Sequence, residues 1–240
     1  MIEHAGRGVL LDIEGTTTSI AFVYDTLFPY VRRSLRAFLA DRTADPEVLA
    51  ASEIIAREAG AGSLTEFLRE AGSSGDLRAL EPEVLRRMDV DDKSTGLKQL
   101  QGLIWRAGYA CGELRGHVYP DVPVALAAWA AQGADIRIYS SGSVEAQRLL
   151  FAHTDVGPLD GYLRGYYDTS TGPKRSPESY RRIANHMGRD PAGVLFLSDT
   201  LEELDAARAA GLATAIVRRG AGPVQALHPI ITQFGEVRLT

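Results

Sequence analysis

The sequence predicts an α/β fold: a doubly wound, mainly parallel, Rossmann-like sheet with a helical cap domain inserted after the first strand. Three observations carry this expectation. Four short apolar runs each stop abruptly at a polar residue, as strands buried on both faces do. Strand-like and helix-like stretches alternate between residues 118 and 218, the order that builds a parallel sheet from βαβ units. The stretch from 23 to 116 breaks that rhythm, because it lacks β-branched runs and is rich in Ala, Leu, Arg and Glu. The expected division is a core of residues 1–22 and 117–240 and a helical cap of residues 23–116.

Taken along the chain, Gly8-Val9-Leu10-Leu11 reads as the first strand and runs into Asp12. Glycine-rich breaks at 60–62 and 72–75 punctuate the helical insert. Pro120-Asp121-Val122-Pro123 opens a helix that should stop at Gly133. Ile136-Arg137-Ile138-Tyr139 is the second strand and runs into Ser140. Ser176 followed by Pro177 resembles an N-cap with a first-turn proline, for a helix reaching about Met187. Val194-Leu195-Phe196-Leu197 is the third strand, ending at Ser198 and Asp199. A helix over 203–210 should end at Gly211, where a left-handed cap belongs. Ala213-Thr214-Ala215-Ile216-Val217 is the last strand, followed by Arg218.

Composition narrows the classes of function. A 45% hydrophobic and 24% charged chain is ordinary for a soluble globular protein and argues against disorder. A net charge of −5 argues against a nucleic-acid partner, which needs a concentrated basic field. The Arg-Arg pairs beginning at Arg32, Arg86, Arg181 and Arg218 are far apart and read as solvated helix faces. Cys111 is the only cysteine, which excludes an intramolecular disulfide and a thiolate metal cage. The five histidines lack zinc spacing. Residues 1–11 lack a basic region followed by a long apolar stretch and no apolar run nears the ~18 residues of a membrane span, so no signal peptide, no membrane partner and a cytoplasmic address are expected.

Chemistry concentrates where strands end, because ligands of open α/β sheets gather beyond the carboxyl ends. In Asp12-Ile13-Glu14-Gly15-Thr16-Thr17, two carboxylates two residues apart follow a buried strand, a costly arrangement unless a cation compensates them. Hard oxygen ligands suit magnesium. Gly15 and the threonines add a tight turn with donors for a phosphoryl group; a plain acidic turn is the alternative. Ser140-Ser141-Gly142-Ser143 places short hydroxyl residues at a helix start, either to hold an anion or only to cap. Lys174 precedes a capped helix, where a lysine is usually solvated. Ser198-Asp199-Thr200-Leu201-Glu202-Glu203 supplies acids four apart, for a metal or for the helix dipole.

In this order and spacing the four motifs resemble the haloacid-dehalogenase-like phosphatase superfamily. The resemblance implies a magnesium-dependent phosphomonoester hydrolase with one ion per subunit. It makes Asp12 the nucleophile and Glu14 the general acid and base. Ser140, with Ser141, binds the transferring phosphoryl group and Lys174 neutralises it. Asp199 completes the magnesium site with Asp12 and Glu14, the latter through its backbone carbonyl, while Thr16 and Glu203 support it. Donors for the phosphoryl oxygens are also expected from the backbone N–H groups of the turn over 14–16.

Most of that superfamily carries Asp where this chain has Glu14. The run from Asp12 to Ile20 looks instead like the enolase-phosphatase branch, as do Leu100-Gln101-Gly102-Leu103-Ile104-Trp105, Gly116-His117-Val118-Tyr119-Pro120-Asp121-Val122 and Tyr139-Ser140-Ser141-Gly142-Ser143. The branch implies a phosphorylated diketone as partner, 2,3-diketo-5-methylthiopentyl 1-phosphate. It is enolised and then dephosphorylated to 1,2-dihydroxy-3-keto-5-methylthiopentene in methionine salvage, by a monomeric enzyme of the acireductone synthase type. Another small phosphate monoester as substrate is the nearest rival. A non-catalytic binding module would keep the fold without needing a competent side chain at every motif. A dinucleotide-binding oxidoreductase would need a G-x-G-x-x-G after the first strand, and none is there.

Overall fold

The computed structural model describes residues 1–220 and 227–240. In chain order the elements begin with strands β1 (Ile2–His4) and β2 (Gly8–Leu11), the short helix α1 (Ile20–Phe22) and a π-helical turn over Val23–Leu27. Helices α2 (Phe28–Asp41), α3 (Pro46–Glu58), α4 (Leu64–Glu70), α5 (Glu81–Asp89) and α6 (Thr95–Ala110) follow. Then come α7 (Asp121–Ala131), β3 (Asp135–Tyr139), α8 (Val144–Ala152), β4 (Gly165–Tyr167) and α9 (Pro177–His186). The chain ends with β5 (Val194–Ser198), α10 (Leu201–Ala209), β6 (Ala213–Val217), β7 (Ile230–Ile231) and β8 (Val237–Leu239). None of the described helices is long and apolar enough to cross a membrane.

The fold is α/β with a helical insert after β2. Contacts divide the chain into one unit of Met1–Val23 with Arg115–Thr240 and a second of Tyr24–Leu114. In the first unit a six-stranded sheet has the order β4-β3-β2-β5-β6-β7, and every pairing is parallel. All residues of β2 and β5 are buried, which explains their unbroken apolar runs. Leu11 on β2 is level with Ile138 on β3 and with Leu197 on β5. The chain builds β3 and β4 to one side of β2 and then β5 to β7 on the other. The reversal leaves a crevice at the carboxyl ends of β2, β3 and β5. On one sheet face Leu10, Tyr139, Phe196 and Ile216 pack with Tyr180 and Ile183 of α9 and Leu204 of α10.

Four short strands escape the apolar-run criterion. β1 pairs with β8, while β4 and β7 extend the two ends of the large sheet, and each has only two or three residues. Ser176 stands at the N-cap of α9 but its side chain makes no capping bond, so Pro177 alone marks that helix start. Gly211 does adopt the left-handed conformation after α10, at φ 96°.

The second unit is helical. Asp45 and Ser63 cap α3 and α4 through their side chains. One arginine pair departs from the expected solvated face here. Arg87 is buried, and its guanidinium donates to Glu83, Glu58, Ser94 and the carbonyl of Ile55, tying α5 to α3. Arg86 next to it is exposed and pairs along its own helix with Glu83.

Candidate active site

Asp12 lies immediately beyond β2, and its amide donates to the carbonyl of Leu197 at 3.0 Å, continuing the pairing with β5. The residue is only 3% exposed. Three donors orient its carboxylate. Oδ1 accepts from Ile13 N at 2.8 Å and from Lys174 Nζ at 2.6 Å, and Oδ2 accepts from Ser198 Oγ at 3.0 Å.

Glu14 and Ser140 meet from neighbouring strand ends. The Ser140 hydroxyl donates to Glu14 Oε2 at 3.2 Å while accepting from Gly142 N at 3.1 Å. Burial, reinforced by repulsion from Asp12, pushes the Glu14 carboxyl above the usual carboxylate range. Such a group can carry a proton to a leaving oxygen. Ser140 is fully buried, with its amide bonded to Tyr167 O, whereas Ser141 is exposed.

Lys174 reaches the centre of this cluster from the loop before α9. Its ammonium lies 2.6 Å from Asp12 and 2.7 Å from Glu203, and its side chain is 10% exposed. Burial alone would depress it; the charges of Asp12 and Glu203 outweigh that and hold it above the ordinary lysine value. Glu203, on α10, is pushed up to about 7 by burial and then by Asp12. Its Oε2 also lies 3.2 Å from Ser198 Oγ. Two buried tyrosines hold the lysine's loop: Tyr180 OH donates to Lys174 O at 2.6 Å and Tyr139 OH to Gly172 O at 2.8 Å.

Asp199 closes the set. Burial and the Asp12 charge raise it, and Thr200 Oγ1 donates to its Oδ1 at 3.0 Å. Its carboxylate presses against Gly15, where a Cβ would fall 2.0 Å from Oδ2. Gly15 also has φ 70°, so both space and backbone call for glycine. Asp12, Glu14, Asp199 and Glu203 thus crowd around one lysine, leaving an excess of negative charge on hard oxygen donors. That chemistry fits a divalent cation. Among the described residues no three carboxylate, imidazole or thiol side chains form a ready cage. Two carboxylates with a backbone carbonyl would be a set that suits magnesium.

The turn itself departs from one expectation. Gly15 N donates to Thr18 O at 2.8 Å and Thr16 N to Ile13 O at 3.2 Å, so these N–H groups hold the turn and are not offered to a phosphoryl group. A six-residue loop with two carboxylates needs its own amides to stay closed. Thr16 is fully buried and its hydroxyl has no partner. Sequence reasoning assigned no role to Ser198, although its place at a strand end was a usable signal. It also missed Arg219, which is not on a solvated face: its side chain is 9% exposed, and it binds Thr16 O and Asp121.

A parallel sheet with an insert after β2, and a buried aspartate paired to a lysine at its carboxyl end, point to a hydrolase. The chain belongs to the haloacid dehalogenase-like hydrolase family, whose pattern residues 7–211 match. Its relatives within that family are specific. The chain is 47% identical to enolase-phosphatase E1 of Sorangium cellulosum, over 96% of this chain and 97% of that protein. It is 46% identical to enolase-phosphatase E1 of Klebsiella pneumoniae over 96% of each chain. The crystal structure of UTR4 protein from Saccharomyces cerevisiae superposes with a TM-score of 0.78 at 32% identity, covering 96% of this chain and 99% of the other.

Proposed function

We propose that this chain is an enolase-phosphatase that enolises 2,3-diketo-5-methylthiopentyl 1-phosphate and hydrolyses its phosphate ester, the acireductone-forming step of methionine salvage. The observation that carries the chemistry is Lys174 held between Asp12 and Glu203, beside the Ser140–Glu14 pair. The identity to enolase-phosphatases E1 over almost the whole chain supports the substrate.

Uncatalysed phosphate monoesters require up to ~10²¹-fold acceleration, so several groups must act together. Asp12 attacks phosphorus in line and the bond to the ester oxygen breaks, leaving an aspartyl-phosphate. Glu14, raised above the usual carboxylate range by burial and by Asp12, gives a proton to the departing oxygen. Once ionised it takes a proton from the water that attacks the aspartyl-phosphate, which releases phosphate and restores Asp12. Lys174 and the Ser140 hydroxyl donate to the other phosphoryl oxygens. Bound magnesium, one ion per subunit held by Asp12, Asp199 and the Glu14 carbonyl, would offset the repulsion between an anionic nucleophile and an anionic ester. Ser198 and Thr200 keep the two aspartates in place.

The test is phosphate release from the diketone phosphate, with and without magnesium, against a panel of sugar phosphates, with the enol followed in the ultraviolet. Magnesium-dependent release with a clear preference for the diketone is expected. A preference for a sugar phosphate, with no enol formed, would overturn the substrate while leaving the hydrolase intact. We also read the enzyme as a monomer, which size-exclusion chromatography with light scattering checks.

A further inference from the structure

Arg219 stands just past β6, outside every motif used above, yet its guanidinium is spent on the catalytic turn. Nε and Nη2 both donate to one acceptor, the carbonyl of Thr16, at 3.0 and 2.8 Å. Nη1 donates to both oxygens of Asp121, at 2.7 and 2.9 Å, and to Thr232 O at 3.3 Å. Its Cζ lies 4.4 Å from the ring centre of Tyr119 and 4.7 Å from that of Phe234. Asp121 is fixed in turn, because its Oδ2 also accepts from Phe234 N at 2.6 Å.

The turn explains why a cation is used there. Ile13 O accepts from the amides of Thr16, Thr17 and Thr18, and Gly15 N donates to Thr18 O. Thr17 O is bound by Tyr119 N at 3.0 Å, and Thr18 Oγ1 lies 2.9 Å from His117 Nδ1. Thr16 O, in a fully buried residue, accepts from no amide of the turn, and Arg219 donates to it twice. Burying a guanidinium is costly unless it is paired and bonded, and here Asp121 and two ring faces meet that need. The Thr16 carbonyl belongs to the Thr16–Thr17 peptide, so fixing it fixes the chain one residue beyond Gly15, against which the Asp199 carboxylate rests.

We propose that Arg219 is a positioning residue for phosphoryl transfer: through the Thr16 carbonyl it holds the turn over 13–18 in the geometry that brings Asp12, Glu14 and Asp199 together. Asp121 aims the guanidinium. The inference rests on the reading of this site as one for phosphoryl transfer, and is independent of the diketone. Lysine keeps the charge at this position but cannot reproduce a fork that spans a carbonyl and a carboxylate.

The experiment compares the full chain with Arg219→Lys and Arg219→Ala. It measures thermal midpoint, kcat and KM on p-nitrophenyl phosphate and on the diketone phosphate, and binding of beryllium trifluoride with magnesium by fluorine NMR. For Arg219→Lys we expect a folded protein whose kcat falls roughly 10–100-fold on both esters while KM changes less than about threefold, since positioning acts in the transition state. Added guanidinium at millimolar concentration should restore part of the activity of Arg219→Ala. A kcat within twofold of wild type in both variants, or a loss no larger than the loss of folded fraction, overturns the proposal. If the wild type turns over p-nitrophenyl phosphate but not the diketone, the substrate reading fails and this inference is still decided on the simple ester. If it turns over neither, unchanged trifluoride affinity in Arg219→Lys overturns it, and a roughly tenfold weakening supports it.

Discussion

Lys174 Nζ sits 2.6 Å from Asp12 Oδ1 in a buried ion pair and shares its charge with Glu203 at 2.7 Å. One ammonium thus serves two carboxylates from opposite ends of the sequence. Removing it leaves those acids buried without a cation, which costs far more than losing a surface pair. Lys174→Met should lower kcat by roughly 100-fold or more and raise the product phosphate inhibition constant; steady-state kinetics with added phosphate measures both. Wild-type inhibition by phosphate in the variant would remove Lys174 from the anion site.

Asp12→Asn should lower phosphate release by roughly 10⁴-fold, as loss of a covalent nucleophile does. The amide is isosteric, so Ile13 N keeps an acceptor oxygen, while the Ser198 hydroxyl turns to accept from the new NH2 group. Enol formation is followed separately in the ultraviolet, because it requires no bond to phosphorus. Turnover close to wild type would reassign the nucleophile.

Asp199→Ala removes the carboxylate that leans on Gly15. A magnesium requirement shifted upward by about tenfold or more is expected, with activity partly regained at high magnesium. Titrating the ion against initial rate checks this, and an unchanged half-saturation point would contradict the metal role.

Gly15→Ala should be more damaging than its size suggests. The added methyl group meets Asp199 Oδ2, and an L-residue at φ 70° costs about 1 kcal/mol. Activity should fall more steeply than stability, because the displaced group is the proposed metal ligand. Comparing the thermal midpoint with the rate constant at saturating magnesium separates the two.

Stability should depend on pH through Glu203. Its carboxyl is raised to about 7 in the fold, above its ordinary 4.5, so the native state binds more protons than the unfolded chain between those values. The contribution is therefore full below about 4.5 and is lost as pH rises through about 7. In EDTA the thermal midpoint of the wild type should drop by about 5 °C more across that interval than the midpoint of Glu203→Gln. Parallel curves for the two proteins would show that Glu203 does not titrate there.

The main strands were legible because burial on both faces writes itself as an apolar run, and β2, β5 and β6 follow the sequence closely. Short strands at the sheet ends and in the small pair left no such trace, since two or three residues carry no period. The acidic pair, the strand-end serine and the late acidic cluster could be read because each follows such a run. Glu203 could be placed by its spacing from Asp199, but its bond to Lys174 could not. Arg219 was misread because an arginine after a strand looks the same whether it meets water or a buried carbonyl.

The chain's own order of residues determined which groups stand at strand ends and that a helical segment interrupts the sheet after β2, because local periodicity and punctuation are properties of neighbours in sequence. The tertiary structure alone decided that Lys174 bridges Asp12 and Glu203, that the amides of Gly15 and Thr16 bond within the turn, and that Arg219 binds Thr16. Those contacts join residues up to about 200 positions apart. Such partners are chosen by the parallel register of the sheet and the need of each buried polar atom for a mate, not by anything adjacent in the chain.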